Sequence, residues 1–506
     1  MMSRSLSLAL MGIEACLVEV EVDIIRGLPH FIIVGLPDSV IKESRERIRS
    51  ALENSGFEFP PKNFVVNLAP AGFRKQGSNF DLPIAVSLLR ATGQFEGEGE
   101  NIPMIGELAL DGRVKPVQGV ISMAIALFRS GYRRMIVPFD NRYEAAAIEE
   151  VEVFPVSRIQ EALDVCRGKG KPFKEQKVQS QVEEGMPDFQ DVRGQETARR
   201  AIEIAAAGHH NILLYGPPGS GKTMLSKRIP SILPSLTRDQ AISTTMIHSI
   251  GGMLGPGEGL IVRPPLRSPH HTASDAALVG GGRIPGVGEI SLAHNGVLLM
   301  DEFVEFRNNV LQALRQPLED NEITVARASG SFTFPADFML VASSNPCQCG
   351  FLFDEEIPCR CSPERARHYF HKIAGPILDR IDIEVLVNRV PCRDLMSAGE
   401  GENSRTIRER VLKARTLQRK RFQDSPTVYN SRMTPEDIQR HCIIDAETEK
   451  IMENALKRLN LSARSFFRVL KVSRTIADLD ESPNIRKNHL LEALTYKNLQ
   501  RMYDTV

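Results

Sequence analysis

The stretch Asn211-Ile-Leu-Leu-Tyr-Gly-Pro-Pro-Gly-Ser-Gly-Lys-Thr223 decides the fold class of this chain. Residues 211–215 form an apolar run typical of a buried strand, and the glycine-rich segment after it fits the pattern G-x-x-x-x-G-K-[ST]. In this pattern, backbone N–H groups converge on phosphate oxygens at the start of a helix, whose dipole favours anions. The sequence therefore predicts a P-loop between a strand and a helix of an α/β sheet.

The loop residues have expected roles in binding ATP together with Mg²⁺. Lys222 supplies positive charge at the β- and γ-phosphates, and Thr223 offers its hydroxyl to Mg²⁺. The candidate nucleotide-binding residues are Gly216, Pro217, Pro218, Gly219, Ser220, Gly221, Lys222, Thr223, Met224 and Asp301.

A second apolar run, Gly296–Met300, ends in the acidic pair Asp301 and Glu302. A carboxylate at the end of such a strand can bind Mg²⁺, and its neighbour can polarise the attacking water. An acidic pair of this kind is common where a strand reaches solvent, and the P-loop upstream is what favours a catalytic role. We expect Asp301 to bind Mg²⁺ with Thr223, and Glu302 to activate water.

A third apolar run ends at Asn345, which is a candidate to orient the γ-phosphate or the water, because strand ends in parallel sheets face the ligand crevice. The following proline is also typical of a simple turn. Arg380 and Arg464 are further candidates, since arginine keeps its charge and its planar fork suits phosphate. Taken alone, either arginine is more typical of a solvated surface.

Four of the eight cysteines lie within fifteen residues, as two C-x-C pairs with nine residues between them. Four thiolates can enclose one tetrahedral Zn²⁺ with no open position, which predicts a structural rather than a catalytic metal site. The C-x-C spacing is tighter than is usual, and four reduced, unliganded cysteines are the alternative. The candidate zinc ligands are Cys347, Cys349, Cys359 and Cys361.

Patterning along the 506 residues predicts three domains. Residues 1–168 mix strand and helix signals, and residues 169–187 form a polar, charged linker. Residues 188–392 repeat an apolar strand, a glycine turn and a helix, which indicates a parallel sheet with crossover helices. Residues 393–506 contain helical patterns only and predict a separate helical lid.

The bulk composition excludes some classes of protein. The net charge is zero, so DNA binding would have to use local basic patches rather than the whole surface. No apolar run is long enough to span a membrane, and Glu14 interrupts the only apolar stretch near the N-terminus. We therefore expect a cytoplasmic protein with neither a signal peptide nor a membrane segment.

Several motifs together resemble those of the ComM family, which are bacterial, YifB-like relatives of magnesium-chelatase ATPase subunits. Besides the P-loop and the Asp301-Glu302 strand, they are Asp191-Val-Arg-Gly-Gln-Glu, Arg267-Ser-Pro-His-His-Thr, Gly288-Glu-Ile-Ser-Leu-Ala-His-Asn-Gly, Ser344-Asn-Pro-Cys and Gly375-Pro-Ile-Leu-Asp-Arg-Ile-Asp. The resemblance spans essentially the whole chain. It implies an AAA+ core with a helical lid that works as a hexameric DNA helicase, promoting branch migration when transforming DNA is integrated by homologous recombination.

The same resemblance implies roles for individual residues. Asn345 resembles sensor 1, Arg464 the sensor-2 arginine of the lid, and Arg380 the arginine finger that acts on the ATP of a neighbouring subunit. Residues 253–282 resemble an insert, and residues 323–334 a hairpin, that project into the central channel of related motors. The candidate DNA contacts in these segments are Arg263, Arg267, His270, His271 and Arg327.

The N-terminal region resembles the proteolytic domain of Lon proteases, which has a fold like ribosomal protein S5. The matching stretches are Lys75-Gln-Gly-Ser-Asn-Phe-Asp-Leu-Pro-Ile-Ala and Gly106-Glu-Leu-Ala-Leu-Asp-Gly-Arg-Val-Lys-Pro-Val-Gln-Gly-Val-Ile. Asn79 stands where Lon has its nucleophilic serine, and Gly119-Val-Ile-Ser-Met lacks the catalytic lysine. A Ser–Lys pair needs both partners, so we expect no proteolysis.

Two other functions remain open at this point. One is an ATPase subunit for chelatase-like metal insertion, and the other is an AAA+ protein remodeller. The Lon-like region and the cysteine cluster favour the DNA motor over the chelatase role. Stimulation of ATP hydrolysis by DNA, by a chelatase partner or by an unfolded protein would separate the three.

Overall fold

The computed structural model describes residues 2–96, 101–174, 185–281, 286–327, 330–372, 377–390, 401–425, 427–459, 462–497 and 499–504. These residues belong to two compact units. Unit 1 comprises Met1–Gln181, Thr237–Val262 and Phe332–Phe334; unit 2 comprises Val182–Leu236, Arg263–Ser331 and Pro335–Val506. The predicted linker, 169–187, lies outside the described residues from 175 to 184. The predicted domain boundaries remain a proposal.

Unit 1 is built on a four-stranded sheet with the strand order β1-β2-β4-β3. Its strands are β1 (Ser3–Met11), β2 (Glu14–Ile25), β3 (His30–Val34) and β4 (Asn63–Ala69). β2 pairs antiparallel with β1 and β4, and β3 runs parallel to β4. Val18, Val20 and Val22 alternate along β2 and are fully buried. One face of this sheet therefore contributes to the core of unit 1.

The described part of unit 1 also contains six α-helices and two short strand pairs. The helices are α1 (Ser39–Asn54), α2 (Asp81–Ala91), α3 (Val120–Arg129), α4 (Arg142–Ala146), α5 (Ile159–Cys166) and α8 (Arg238–Ile250). The pairs are β5 (Glu107–Leu108) with β6 (Val114–Lys115), and β7 (Arg134–Pro138) with β8 (Glu152–Val156). Asp38 caps α1 by accepting a hydrogen bond from the Ile41 N–H, and the helix buries Ile41, Ile48 and Leu52.

Unit 2 contains a five-stranded parallel sheet with the order β10-β11-β14-β9-β15. Its strands are β9 (Ile212–Tyr215), β10 (Leu266–Arg267), β11 (Val297–Met300), β14 (Met339–Ser344) and β15 (Ile383–Leu386). The three central strands are buried along their whole length, which is the pattern of a sheet covered on both faces. The predicted parallel α/β sheet is thus confirmed.

Helices surround this sheet. In its first part they are α6 (Glu196–Gly208), α7 (Lys222–Ile232), α9 (Asp275–Val279), α10 (Glu289–Leu292), α11 (Asn308–Ala313), α12 (Arg315–Asp320) and α13 (Pro363–His371). Strands β12 (Glu322–Arg327) and β13 (Gly330–Pro335) form a two-stranded sheet, as expected for a hairpin.

The described residues after 401 contain only helical elements. The α-helices are α14 (Ser404–Arg421), α15 (Pro435–His441), α16 (Ala446–Leu459), α17 (Ala463–Leu479), α18 (Lys487–Thr495) and α19 (Leu499–Asp504). Val411, Ile476 and Leu490 share one hydrophobic core with Ile212 of the sheet. Among all the helices described for this chain, none combines the length and the apolar character needed to cross a membrane.

Candidate nucleotide site and cysteine cluster

The P-loop follows β9 and turns directly into α7. Gly216 packs so tightly that a Cβ atom there would lie 2.2 Å from the carbonyl oxygen of Val387. Gly221, which precedes α7, has φ +92°, a backbone conformation that favours glycine. The glycines of the motif are therefore required by close packing and by the turn. The loop carries its backbone N–H groups at the start of a helix, which is where anions bind.

Lys222 is held over this loop by its own backbone. Its Nζ donates to the carbonyl oxygens of Gly216 and Pro217, both at 2.8 Å, and lies 3.4 Å from Asn345 Oδ1. Burial lowers the pKa of Lys222 to about 8, although nearby Asp301 raises it. The structure thus brings Asn345, at the end of β14, to the lysine of the P-loop. A phosphate would give this half-desolvated ammonium a charged partner.

Thr223 and Asp301 are in direct contact, as expected for two residues that hold the same Mg²⁺. The Thr223 hydroxyl donates to Asp301 Oδ2 at 2.7 Å. Ser343, on the neighbouring strand β14, donates to the other carboxylate oxygen. Sequence patterning did not identify Ser343, because its contact depends on which strands lie side by side. The site fits Mg²⁺, with a hydroxyl and a carboxylate as its oxygen ligands.

Glu302 projects from a strained position next to this pair. Its φ is +53°, in the left-handed region, and its side chain is about half exposed. Its Oε2 lies 2.9 Å from Nδ1 of His271, which follows the edge strand β10. His271 was expected to contact DNA, and the structure places it against the candidate water-activating carboxylate. The ring of His270 lies 4.2 Å from that of His271, and its Nδ1 bonds with Thr272.

The other candidate DNA contacts are not gathered at one place by this structure. Arg267 forms a two-pronged pair with Glu289, with N···O distances of 2.6 and 2.7 Å. Arg263 lines a cavity of about 90 Å³ together with Arg405 and Arg408. The side chain of Arg327 lies outside the described residues. The prediction that these residues contact DNA stays untested.

Arg380 lies at the end of the sheet opposite the P-loop. It precedes β15, its backbone carbonyl accepts a hydrogen bond from Asn211 just before β9, and its buried guanidinium pairs with Glu319. β9 and β15 are parallel, and Arg380 lies near their amino ends, whereas the P-loop follows the carboxyl end of β9. The four residues of β9 therefore put about 13 Å between the backbone near Arg380 and the P-loop. Arg380 therefore cannot reach the nucleotide of its own P-loop.

Arg464 also lies near the amino ends of the parallel strands. It is exposed in the first turn of α17, and one turn later Arg468 pairs with Asp382 at 2.7 Å. Asp382 accepts a hydrogen bond from the Asn211 N–H at 3.2 Å, which fixes this end of α17 beside the start of β9. Arg464, like Arg380, is remote from the phosphate loop of its own chain.

Gln195 is a residue of the site that sequence reasoning did not single out. It adopts φ +59° before α6, and its side-chain amide donates to Ser220 O at 3.0 Å and to Asn388 O at 2.5 Å. The side chain thereby ties the P-loop to the segment after β15. The only available signal was its place in the motif Asp191–Glu196, which carried the family resemblance.

The four clustered cysteines are positioned to bind one metal ion. The sulfur atoms of Cys347, Cys349, Cys359 and Cys361 all lie within 4.8 Å of one another. Three Sγ···Sγ separations are 3.3, 3.5 and 3.7 Å. Four thiolates about 2.3 Å from a tetrahedral Zn²⁺ would be about 3.8 Å apart, so the arrangement fits the ion.

In unit 1, the residues at the positions of the Ser–Lys pair of Lon proteases are buried. Asn79 is buried, and its side-chain amide donates to Leu8 O at 2.6 Å. Met123, in the stretch where Lon has its lysine, is also buried. Neither side chain is a nucleophile or a base. That this unit lacks protease activity stays a prediction.

Comparison with known proteins matches this arrangement to a family. Residues 188–395 match the family described as magnesium chelatase, subunit ChlI, while residues 20–141 and 401–497 match two further ChlI families, the second being its C-terminal part. The competence protein ComM of Haemophilus influenzae is 41% identical over 503 residues, covering 98% of this chain and 97% of ComM. The chain belongs to the ComM and YifB family. The YifB protein of Escherichia coli is 40% identical over 496 residues, covering 98% of this chain and 96% of YifB.

A more distant likeness agrees with the Lon motifs of the sequence. A Lon protease of Xanthomonas oryzae is 28% identical over 162 residues, which cover 30% of this chain and 19% of that protease. Membership of the ComM and YifB family, with its magnesium-chelatase-like AAA+ region, is therefore confirmed. The family implies an ATPase that uses Mg²⁺, and it agrees with the geometry around Lys222, Thr223 and Asp301.

Proposed function

We propose that this ComM-family chain hydrolyses Mg·ATP at the P-loop and uses the energy to move DNA branches during homologous recombination of incoming DNA. The observation that carries the proposal is the 41% identity to a competence protein along nearly the whole chain. Competence is the uptake and integration of DNA, so an ATPase in that process acts on DNA strands. In this proposal, the protein is a cytoplasmic helicase that binds single-stranded or branched DNA.

The proposed hydrolysis assigns one task to each side chain of the site. Lys222 and the P-loop amides, including those of Ser220 and Gly221, bind the phosphates, while Thr223 and Asp301 hold Mg²⁺. Bound there, Mg²⁺ would neutralise part of the charge on the phosphates. Glu302 orients and polarises the attacking water, and Asn345 orients the γ-phosphate from beside Lys222.

Arg380 and Arg464, near the amino ends of the parallel strands, are the basis for proposing an assembly. Since neither Arg380 nor Arg464 reaches the P-loop of its own chain, we propose that both act on the nucleotide of a neighbouring copy. Arg380 would then exchange its partner Glu319 for the γ-phosphate. A ring of identical subunits repeats such a contact at every interface, and we propose six subunits, the number that the family resemblance implies.

Three structural assignments belong to the same proposal. The four-cysteine cluster holds one structural Zn²⁺, supported by the sulfur spacing. Residues 393–506 act as the lid of an AAA+ core at 188–392. Residues 1–168 form a Lon-like domain without protease activity that binds DNA or steadies the ring.

The test compares three stimulants of ATP hydrolysis by the purified protein. We expect branched or single-stranded DNA to raise the turnover number at least severalfold, with the Glu302→Gln variant inactive throughout. Stimulation by an unfolded protein alone would instead support a protein remodeller. Stimulation only by a porphyrin-binding chelatase subunit would support metal insertion, the alternative that the magnesium-chelatase match favours.

A further inference from the structure

The segment that carries the four cysteines lies next to the candidate nucleotide site. Cys347 is only two residues after Asn345, and it is 1% exposed. Asn345 in turn lies 3.4 Å from Lys222 Nζ. The backbone that carries the first metal ligand therefore also carries a side chain of the phosphate site.

A second contact joins the cluster to the P-loop. Gly350 follows the ligand Cys349, has φ +88°, and lies against Pro218 in the middle of the P-loop. A Cβ atom at position 350 would be 2.6 Å from Cδ of Pro218. Close packing transmits displacement, because a filled interface has no slack to absorb it. The loop between the two C-x-C pairs thus supports the outer side of the phosphate loop.

The far side of the cluster is held by aromatic packing. Tyr503 donates a hydrogen bond to the carbonyl oxygen of Pro346, and its ring stacks on Phe370 at a centroid distance of 4.1 Å. Phe353, inside the cysteine loop, packs edge-on against Tyr503 at 5.4 Å. The segment that carries the four cysteines therefore packs against these rings on one side and against the P-loop on the other.

We propose that the metal bound by the four cysteines holds the P-loop and Asn345 in their binding positions, so that nucleotide affinity depends on metal occupancy. The reason is that residues 346–361 contain no helix or strand of their own. Cross-linking by a metal is what would give such a loop a single fold. The inference rests on the proposed nucleotide binding and on the proposed zinc site. It adds that nucleotide binding depends on the bound zinc.

The experiment measures zinc content and the affinity for a fluorescent ATP analogue on the same samples. The full-length protein is compared before and after zinc chelation, with Mg²⁺ restored in excess, and again after zinc is added back. Circular dichroism establishes that the chelated protein is folded. We expect one zinc per chain, a loss of affinity of about tenfold or more on chelation, and recovery on adding zinc.

Two variants separate the effect of losing the metal from the effect of disturbing the contact between Gly350 and Pro218. The double variant Cys359→Ser, Cys361→Ser should lack zinc and bind the analogue weakly even with added zinc, whereas Cys16→Ser, in unit 1, should match the wild type. Gly350→Ala should retain zinc and still bind weakly, because its Cβ displaces Pro218. Gly131→Ala is the matched control, since Gly131 has φ +89° and nothing within 4 Å of its Cβ position.

The outcomes distinguish this inference from the proposed function. A zinc-loaded wild type that does not bind the analogue would refute the proposed nucleotide site itself. Folded, zinc-free protein that binds with unchanged affinity would overturn the inference alone. If chelation unfolds the protein, Gly350→Ala tests the contact through which the metal is proposed to act: normal affinity with full zinc content overturns the inference, and weak binding supports it.

Discussion

At the scale of single residues, Lys222 is the residue proposed to supply the positive charge for nucleotide binding. Replacing it by alanine removes a charge-assisted bond to phosphate, which contributes about 1.5–3 kcal/mol. We therefore expect Lys222→Ala to raise the Kd for the ATP analogue by about tenfold to a hundredfold, measured by fluorescence titration. Lys227→Ala, an exposed position of the same helix, is the control. Wild-type affinity in Lys222→Ala would refute the assigned phosphate site.

His271 gives a second prediction, because its Nδ1 lies 2.9 Å from the Glu302 carboxylate. Without the 2.9 Å contact to His271 Nδ1, Glu302 should lose a partner that orients its carboxylate. We expect His271→Ala to lower kcat for ATP about tenfold with an unchanged KM, since the loop and the Mg²⁺ ligands stay intact. His270→Ala should behave like the wild type. If His271 instead contacts DNA, the variant would lose DNA affinity while its unstimulated kcat stays normal.

These residues also mark how much of the site the sequence could predict. Lys222, Thr223 and Asp301 could be predicted from local motifs, because each motif combines an apolar strand with the functional residues that follow it closely in sequence. Ser343 and Gln195 could not be predicted, since they contact Asp301 and Ser220 through strand order and a left-handed turn. That Arg380 acts on the ATP of a neighbouring subunit is implied only by the family resemblance, and it stays a prediction.

At the scale of elements, one ionic cluster fastens α17 to the start of β9. Burial raises the pKa of Asp382, but Arg468 and His210 outweigh burial and hold that pKa below its usual range. A carboxyl group whose folded pKa is depressed stabilises the protein above its unfolded pKa, near 4, and loses that contribution as the pH falls below it. The attachment of α17 should therefore weaken in acid.

The corresponding variant is Asp382→Asn, which leaves Arg468 without its partner. We expect the free energy of unfolding at pH 7 to fall by about 3 kcal/mol, measured by denaturant unfolding. The difference from wild type should shrink as the pH falls below about 4. Asp111→Asn, from the exposed pair with Arg113, should change little. An equal loss in both variants would contradict a special role for this cluster.

The elements were predictable to different degrees for a physical reason. The parallel sheet of unit 2 follows from buried apolar runs at short spacing, which are local signals. The membership of Thr237–Val262 in unit 1 was not predicted, because it depends on contacts such as that between Ser249 and the buried carboxylate of Glu144. Such pairing of distant segments leaves no periodic trace in the chain.

At the scale of the whole molecule, we propose that hydrolysis uses two copies of the chain, because Arg380 and Arg464 lie away from the P-loop of their own chain. Arg380→Ala should bind ATP normally and hydrolyse it poorly, and Lys222→Ala should do neither. In mixed assemblies, an intact P-loop from the first variant can meet an intact Arg380 from the second. We expect part of the ATPase activity to return on mixing. No recovery, in assemblies shown to contain both variants, would count against action between subunits.

The most direct test of the central claim is strand exchange on a fluorescently labelled three-strand or four-way DNA junction. The purified protein is added with Mg·ATP, and Glu302→Gln serves as the variant that keeps the binding site and lacks turnover. A motor of the proposed kind resolves the junction only with ATP, and the variant fails to do so. An unresolved junction, with ATP hydrolysis indifferent to every DNA tested, would contradict the DNA motor and leave an ATPase that acts on another substrate.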